Sequence, residues 1–115
     1  MKKVYHLKNC TTCQRILKEL NWNGESQEIR TQKITVKQLE EMVKIAGSYE
    51  SLFSRRATKY KSMGLKDKAL QESDYMKLIL EEDTFLKRPI FILNNEIFIG
   101  NAKNVVAAVK QKLIG

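Results

Sequence analysis

Several residue types that mark particular protein classes are scarce in this chain of 115 residues. Two cysteines are too few for the disulfide framework of a small secreted domain. With one histidine beside them, the chain also lacks the four ligands of a structural zinc site, so we expect no metal. No apolar run approaches the roughly 20 residues of a membrane-spanning helix, so we expect no membrane partner. The N-terminal MKKVYHLKNC lacks the apolar core of a signal peptide, which makes a cytoplasmic location the default expectation.

The composition is that of a globular protein with an excess of positive charge. Hydrophobic residues make up 43% and charged residues 30% of the chain. Lysine and arginine number 21 against 13 acidic residues, which gives a formal net charge of +8. Such a charge favours an anionic partner, such as an oxyanion, a phosphate, an acidic protein or nucleic acid. The alternative is that lysine-rich helix surfaces only keep the protein soluble.

The first third of the chain has the pattern of a β-α-β unit. The segment 2–7 reads as a buried strand, and apolar residues follow it with helical spacing at Cys13, Ile16, Leu17 and Leu20. The turn residues of 21–24 end that helix, and 26–34 reads as a second strand. Two strands joined through a helix are expected to lie parallel, with a right-handed crossover.

The middle of the chain is mostly helical. Thr35 is a plausible N-cap for a helix that Gly47 ends. The segment 51–64 mixes apolar and basic residues and is predicted to be a second helix. The segment 72–83 predicts a third, with Ser73 or Asp74 as its cap.

Strand patterns return at residue 90. Apolar runs at 90–93 and 97–99 flank Asn94-Asn95, which predicts a hairpin, and a final amphipathic helix closes the chain. Without the middle helices, the order leaves a thioredoxin-like βαβ–ββα core. We therefore predict an α/β fold in one domain, residues 1–115, with an inserted helical lobe at roughly 35–87.

The cysteine pair stands where the first strand ends and the first helix begins. Free N–H groups and the positive end of the dipole stabilise a thiolate at that position, so Cys10 is the predicted nucleophile. Lys8 and Arg15 would add to this effect. Cys13 lies one helical turn on, within bridging distance as a resolving thiol. For Cys13 alone, an inert place in the core stays open.

Basic residues elsewhere complete a candidate anion site. Pro89 opens the third strand, and in a thioredoxin-like core that position packs beside the active-site cysteine, where a cis proline would aim its backbone at the substrate. Arg88 would then point near Cys10, and Arg55 and Arg56 come from the helical lobe. Guanidinium groups and the free amides of a helix start, here at Thr11 and Thr12, together can hold an oxyanion. The alternative for each arginine is a solvated surface charge.

Three stretches in this order resemble the arsenate reductase family related to glutaredoxins, including its Spx-type relatives. They are YHLKNCTTCQRILKEL, SLFSRRATKYKSMGLKD and LKRPIFILNNEIFIGN, which together span nearly the whole chain. The resemblance implies that Cys10 is the nucleophile, that Arg88 is the oxyanion-binding arginine beside the proline, and that Arg56, with Arg55 as a neighbour, is the arginine of the helical lobe. In the arsenate reductases of this family the cysteine attacks arsenate, and glutathione with glutaredoxin completes the reduction.

Two departures separate the chain from those arsenate reductases. The family's further arginine after the hairpin is missing from FIGNAKN, and Cys13 stands where those enzymes have Ser or Thr. Both features are closer to Spx-type proteins, in which C-x-x-C is a disulfide switch and the partner is the C-terminal domain of the RNA polymerase α subunit. Gln14, however, stands where Spx has a basic residue.

Two functions remain open from the sequence. We favour a thiol-dependent oxidoreductase with Cys10 as nucleophile and Cys13 as resolving thiol, no bound cofactor, and glutathione with glutaredoxin, or thioredoxin, as reductant. Its substrate would be a small anion or a thiol partner, with arsenate itself less favoured. The alternative is a redox-switched transcription regulator. Direct sequence-specific DNA binding is not expected, because no helix concentrates basic residues as a groove-reading helix does.

Overall fold

The computed structural model describes residues 1–114, which form two compact units. The first contains Met1–Lys33 and the chain from Arg88 onward, and the second contains Ile34–Lys87. The second unit has nearly the bounds of the predicted helical lobe. Whether the whole chain acts as one domain stays a prediction.

The first unit is a four-stranded mixed sheet with two helices. Its elements are β1 (Lys2–His6), α1 (Thr11–Glu19), β2 (Glu25–Glu28), β3 (Ile90–Leu93), β4 (Glu96–Ile99) and α5 (Lys103–Ile114). The strand order is β2-β1-β3-β4, with β1 parallel to β2 and antiparallel to β3, and β3 antiparallel to β4. This arrangement confirms the predicted thioredoxin-like βαβ–ββα core. Leu93 pairs with Glu96, so the hairpin turns on Asn94 and Asn95 as the sequence predicted.

Both helices of this unit share one apolar cluster with the sheet. Val4 of β1 and Phe91 of β3 are cross-strand partners and are fully buried. Ile16 of α1 and Val109 of α5 pack in the same cluster, and Trp22 meets Phe91 edge-on with ring centroids 5.2 Å apart. The core therefore fixes the start of α1 relative to the ends of β1 and β3.

The second strand is shorter than the sequence predicted. Pairing with β1 stops at Glu28; in the rest of the predicted strand, 29–31 forms a turn, and 32–34 is irregular. The Glu28 carboxylate accepts hydrogen bonds from the backbone N–H groups of Arg30 (3.1 Å) and Thr31 (2.8 Å), which folds the chain back on itself. A local side-chain acceptor thus competes successfully with the sheet for these backbone groups.

The second unit holds helices α2 (Val36–Ala46), α3 (Thr58–Ser62) and α4 (Glu72–Glu81), with short 3-10 turns at Glu50–Leu52, Leu65–Asp67 and Asp83–Phe85. The predicted cap and stop of α2 are confirmed: Thr35 caps it through the Gln38 N–H at 3.0 Å, and Gly47 ends it with a φ of 97°. For α4 the predicted caps are wrong, because Gln71 is the N-cap and its N–H donates to the Asp74 carboxylate at 2.8 Å.

A continuous helix over 51–64 is also wrong. Phe53 is extended and forms a β-bridge with Leu86, and its ring stacks on Phe85 and packs against Tyr75 with centroids about 5 Å apart. Burying this aromatic side chain outweighs the helical pattern of its neighbours. No helix within residues 1–114 is long and apolar enough to cross a membrane.

Candidate thiol site

Cys10 is the N-cap residue of α1. Its N–H donates to the Leu7 carbonyl oxygen at 3.2 Å, and its Sγ accepts the Cys13 N–H at 3.3 Å. The first intrahelical bond runs from the Gln14 N–H to the Cys10 carbonyl oxygen at 3.1 Å. The N–H groups of Thr11 and Thr12 precede that bond and form the open start of the helix. The sulfur therefore lies among backbone donors at the positive end of α1.

The surroundings of Cys10 favour its thiolate. Partial burial raises the pKa of the Cys10 thiol, whereas the hydrogen bonds from the Cys13 side chain and backbone, the Arg88 charge and a hydrogen bond from Arg88 lower it. Together these four outweigh burial, so the pKa of Cys10 lies below its ordinary value. The structure thus gives this sulfur the electrostatic surroundings of a reactive cysteine.

The surroundings of Cys13 raise the pKa of its thiol instead. It has no exposed surface, and its burial is the main cause that raises the pKa of its thiol to about 12. The hydrogen bond to Cys10 and the developing charge on Cys10 add to this effect. Both cysteines are free thiols in this structure. Cys13 is therefore a neutral donor to the Cys10 sulfur before any reaction.

The start of β3 brings Arg88 to the cysteines. Ile90 pairs with Tyr5 of β1, so the residues before Ile90 lie beside the loop that leads into α1. The Arg88–Pro89 peptide bond is cis, and the Pro89 carbonyl oxygen accepts the Gly100 N–H at 2.9 Å. Pro89 is buried and Arg88 half-buried. The first unit thus brings Cys10, Cys13 and Arg88 together around the open helix start at Thr11 and Thr12.

A polar cluster behind Cys10 was not predicted from the sequence. The Gln14 side-chain nitrogen lies 3.1 Å from His6 Nδ1 and 3.0 Å from the Leu7 carbonyl oxygen. Gln14 follows Cys13 directly and lies four positions after Cys10, so it projects from the same turn of α1. The helical spacing of Gln14 from Cys10 could have predicted that the Gln14 side chain lies near the cysteine. The position of His6 in a strand gave no such indication.

Glu28 was missed as well. Its Oε2 accepts the Lys8 N–H at 2.8 Å, so this carboxylate ties the loop before Cys10 to the turn after β2. Partial burial raises the pKa of Glu28, but hydrogen bonds from Lys8, Thr31 and Arg30 outweigh it and the pKa lies below its ordinary value. These two segments meet because β1 and β2 lie side by side, and the sequence shows no pattern that predicts the contact of Lys8 with Glu28.

The two arginines of the second unit differ in their contacts. Arg55 Nη2 donates to the Glu50 carboxylate at 2.8 Å and to the Tyr75 hydroxyl at 3.0 Å. Arg56 is exposed and makes no salt bridge within residues 1–114. The described contacts of Arg55 therefore lie within its own unit. The role of Arg56 as an anion ligand stays a prediction.

The described residues contain no group of three or more His, Cys, Asp or Glu side chains that could hold a metal ion. A model of the ArsC family matches residues 5–109, which is nearly the whole chain. The chain belongs to the ArsC family. It is also similar to a protein of Escherichia coli (strain K12) named "Uncharacterized protein YfgD", with 26% identity over 112 residues that cover 93% of this chain and 94% of the relative.

Solved structures agree on the ArsC fold. An arsenate reductase from Vibrio cholerae superposes with a TM-score of 0.78 at 18% identity, covering 94% of this chain and 96% of that one. SACOL0876 from Staphylococcus aureus superposes with a TM-score of 0.73 at 25% identity, covering 94% and 97%. These likenesses extend along both units in one chain order and support the thioredoxin-like fold assignment.

Proposed function

We propose that this ArsC-family chain is a thiol-dependent oxidoreductase in which Cys10 is the nucleophile and Cys13 the resolving thiol. One observation carries the proposal: Cys10 Sγ accepts the Cys13 N–H at the start of α1 beside Arg88, while Cys13 itself is buried. The thiolate is the reactive form of cysteine, so the lowered pKa supports Cys10 as the attacking group. The raised pKa of Cys13 supports a thiol that reacts second.

The proposed reaction is thiol–disulfide exchange. The Cys10 thiolate attacks one sulfur of a substrate disulfide, forms a mixed disulfide and releases the other sulfur as a thiolate. Cys13 then gives up its proton to solvent or to the departing thiolate and attacks the Cys10 sulfur. This second step releases the remaining substrate thiol and leaves a Cys10–Cys13 disulfide. Two electrons pass to the substrate, and an external dithiol or two glutathione molecules return them.

Anionic substrates fit the same site. The N–H groups of Thr11 and Thr12 and the guanidinium of Arg88 are donors that suit an oxyanion or a carboxylate near the sulfur. The family's further arginine is absent after β4, and a hydrogen bond to a charged group contributes about 1.5–3 kcal/mol. We therefore propose arsenate as a weaker substrate than a disulfide. The reductant proposed from the family resemblance is glutathione with glutaredoxin, or thioredoxin.

Alkylation followed by peptide mass mapping tests the nucleophile. Reduced protein exposed briefly to iodoacetamide at neutral pH should carry the label on Cys10, and Cys10→Ser should take up almost none. After mild oxidation, the wild type should yield a bridged Cys10–Cys13 peptide. With glutathione disulfide as the oxidant, Cys13→Ser should instead keep a mixed disulfide between Cys10 and glutathione. Preferential labelling of Cys13, or two thiols that stay free after oxidation, would contradict the proposal.

Substrate assays separate the two reactions. Reduction of a small disulfide should depend on Cys10 and, for complete turnover, on Cys13. Arsenite formation with glutathione and glutaredoxin should be slower and should also require Cys10. Turnover of either substrate that survives in Cys10→Ser would rule out this mechanism for that substrate.

A redox-switched regulator is the second candidate. The hydrogen bond between the two thiols favours it, because oxidation of so close a pair changes the start of α1. The proposed partner is the C-terminal domain of the RNA polymerase α subunit. Capture of that domain should change between reduced and oxidised protein, and Cys13→Ser should abolish the change. Equal capture in both states would eliminate the switch.

A further inference from the structure

A hydrogen-bonded cluster lies behind the reactive cysteine and is not used by the proposed reaction. The Gln14 side-chain nitrogen is 3.0 Å from the Leu7 carbonyl oxygen and 3.1 Å from His6 Nδ1. The same Leu7 oxygen accepts the Cys10 N–H at 3.2 Å. One carbonyl group thus links the backbone of Cys10 to the side chain of Gln14.

The contacts favour one orientation of the amide and one tautomer of the imidazole. A carbonyl oxygen can only accept, so the Gln14 atom beside Leu7 must be the amide nitrogen and not its oxygen. An amide nitrogen only donates, so the 3.1 Å contact favours a His6 Nδ1 that accepts from Gln14. That arrangement corresponds to a neutral His6 with its proton on Nε2.

The charges around His6 are compatible with this state. Burial is the main cause that lowers the pKa of His6, while the Glu28 carboxylate and the Leu7 backbone act in the opposite direction. Glu28 is the partner of His6 in the parallel pairing of β1 with β2. No other charged group has a resolved effect on this imidazole among the residues described.

We propose that Gln14 is a positioning residue for Cys10: its carboxamide ties the Leu7 carbonyl, which anchors the Cys10 N–H, to the neutral imidazole of His6. The inference rests on the proposed function, because it explains how the nucleophile is held. With the Leu7 carbonyl fixed by two donors, the turn 7–10 keeps Cys10 Sγ within reach of the Cys13 N–H. Without Gln14, the carbonyl loses one donor and the sulfur spends less time at the helix start.

The first test reads the tautomer directly. The chain has a single histidine, so ¹⁵N-labelled wild-type protein without a histidine tag gives only one imidazole in a long-range ¹H–¹⁵N spectrum. The expected spectrum shows a protonated Nε2 and an unprotonated Nδ1 at neutral pH. In Gln14→Leu, the preference for this tautomer should weaken. In Gln14→Glu, the carboxylate should stabilise the imidazolium and raise the pKa of His6. A protonated Nδ1 in the wild type would overturn the proposal.

The second test reads the nucleophile. Iodoacetamide should label Cys10 in Gln14→Leu at least about threefold more slowly at neutral pH than in the wild type, with the pH profile moved upward. Gln14→Glu keeps the size of the side chain and guards against a folding failure of the leucine variant, and it should also slow labelling. Gln111→Leu, on the exposed side of α5, is the matched control and should react like the wild type.

The outcomes distinguish the two proposals. If wild-type Cys10 is no more reactive than Cys13, the proposed function fails. If wild-type Cys10 is reactive but both Gln14 variants keep its rate and pH profile, only the positioning role is overturned.

Discussion

Two identical side chains three positions apart acquire opposite properties from their surroundings. Cys10 has donors around its sulfur, namely the Cys13 N–H and the Arg88 guanidinium, whereas Cys13 is closed off from solvent. Donors favour the charged sulfur of Cys10, whereas at Cys13 burial outweighs the lowering effect of the Leu7 backbone hydrogen bond. The order of reaction proposed for the pair follows from this difference.

Of the side chains outside α1, Arg88 should lower the pKa of Cys10 the most. In Arg88→Gln the positive charge is lost and the pKa of Cys10 should rise, so labelling by iodoacetamide near pH 7 should slow by about threefold to tenfold. The pH–rate profile from titrated labelling measures the change. Arg15→Gln is the matched control: the sequence suggested that Arg15 would help the thiolate, but Arg15 is exposed, pairs with Glu19 along α1 at 3.6 Å and is not among the causes that lower the pKa of Cys10. An equal effect of both variants would show that general charge, not the position of Arg88, stabilises the thiolate.

At the scale of elements, hydrophobic and capping patterns predicted the sheet and the first helix of the second unit, and specific side-chain contacts decided the exceptions. The apolar run of β3 and the Thr35 and Gly47 boundaries of α2 were readable because the signals lie within a few neighbouring residues. The end of β2 depends on the Glu28 carboxylate, and the break after Leu52 depends on Phe53 packing against residues more than 20 positions away. The candidate site shows the same division. Cys10 could be predicted from its place at a strand–helix junction, whereas the contacts of Gln14 with His6 and Leu7 could be seen only in the structure.

Glu28 should stabilise the loop before Cys10 through its contacts with the Lys8, Arg30 and Thr31 N–H groups. Replacing it by glutamine leaves weaker neutral acceptors, and we expect a loss of about 1 kcal/mol in the free energy of unfolding at pH 7. Because the pKa of Glu28 is lowered in the folded state, this contribution is complete above the ordinary value of 4.5. It disappears as the pH falls through the lower folded-state pKa.

Urea unfolding at pH 7 and at acid pH measures the Glu28 effect. The difference between wild type and Glu28→Gln should shrink towards zero in acid. Glu40→Gln, on the exposed surface of α2, is the control and should change little at either pH. A difference that persists unchanged in acid would mean that the carboxylate charge is not what holds the loop.

At the scale of the whole molecule, the net charge of +8 adds a long-range field to the local donors. A positive field raises the local concentration of anions and speeds their encounter with the sulfur, and salt screens it over a Debye length of about 10 Å at 0.1 M. If the surface charge only maintains solubility, the preference of Cys10 for a negative over a neutral reagent should be no larger than that of a free cysteine. The reactivity of Cys10 towards charged and neutral reagents can therefore separate these two interpretations of the basic composition.

Iodoacetate and iodoacetamide form a matched pair for this purpose, because they deliver nearly the same group with and without a negative charge. The ratio of their rates at Cys10 should exceed the ratio for a neutral cysteine model compound, and it should fall severalfold between about 20 mM and about 0.5 M salt. The Arg88→Gln variant separates the effect of Arg88 from that of the other basic residues. A salt dependence that survives in this variant comes from the rest of the surface. A ratio that equals the model compound's at every salt concentration would show that the basic composition does not act on the thiol.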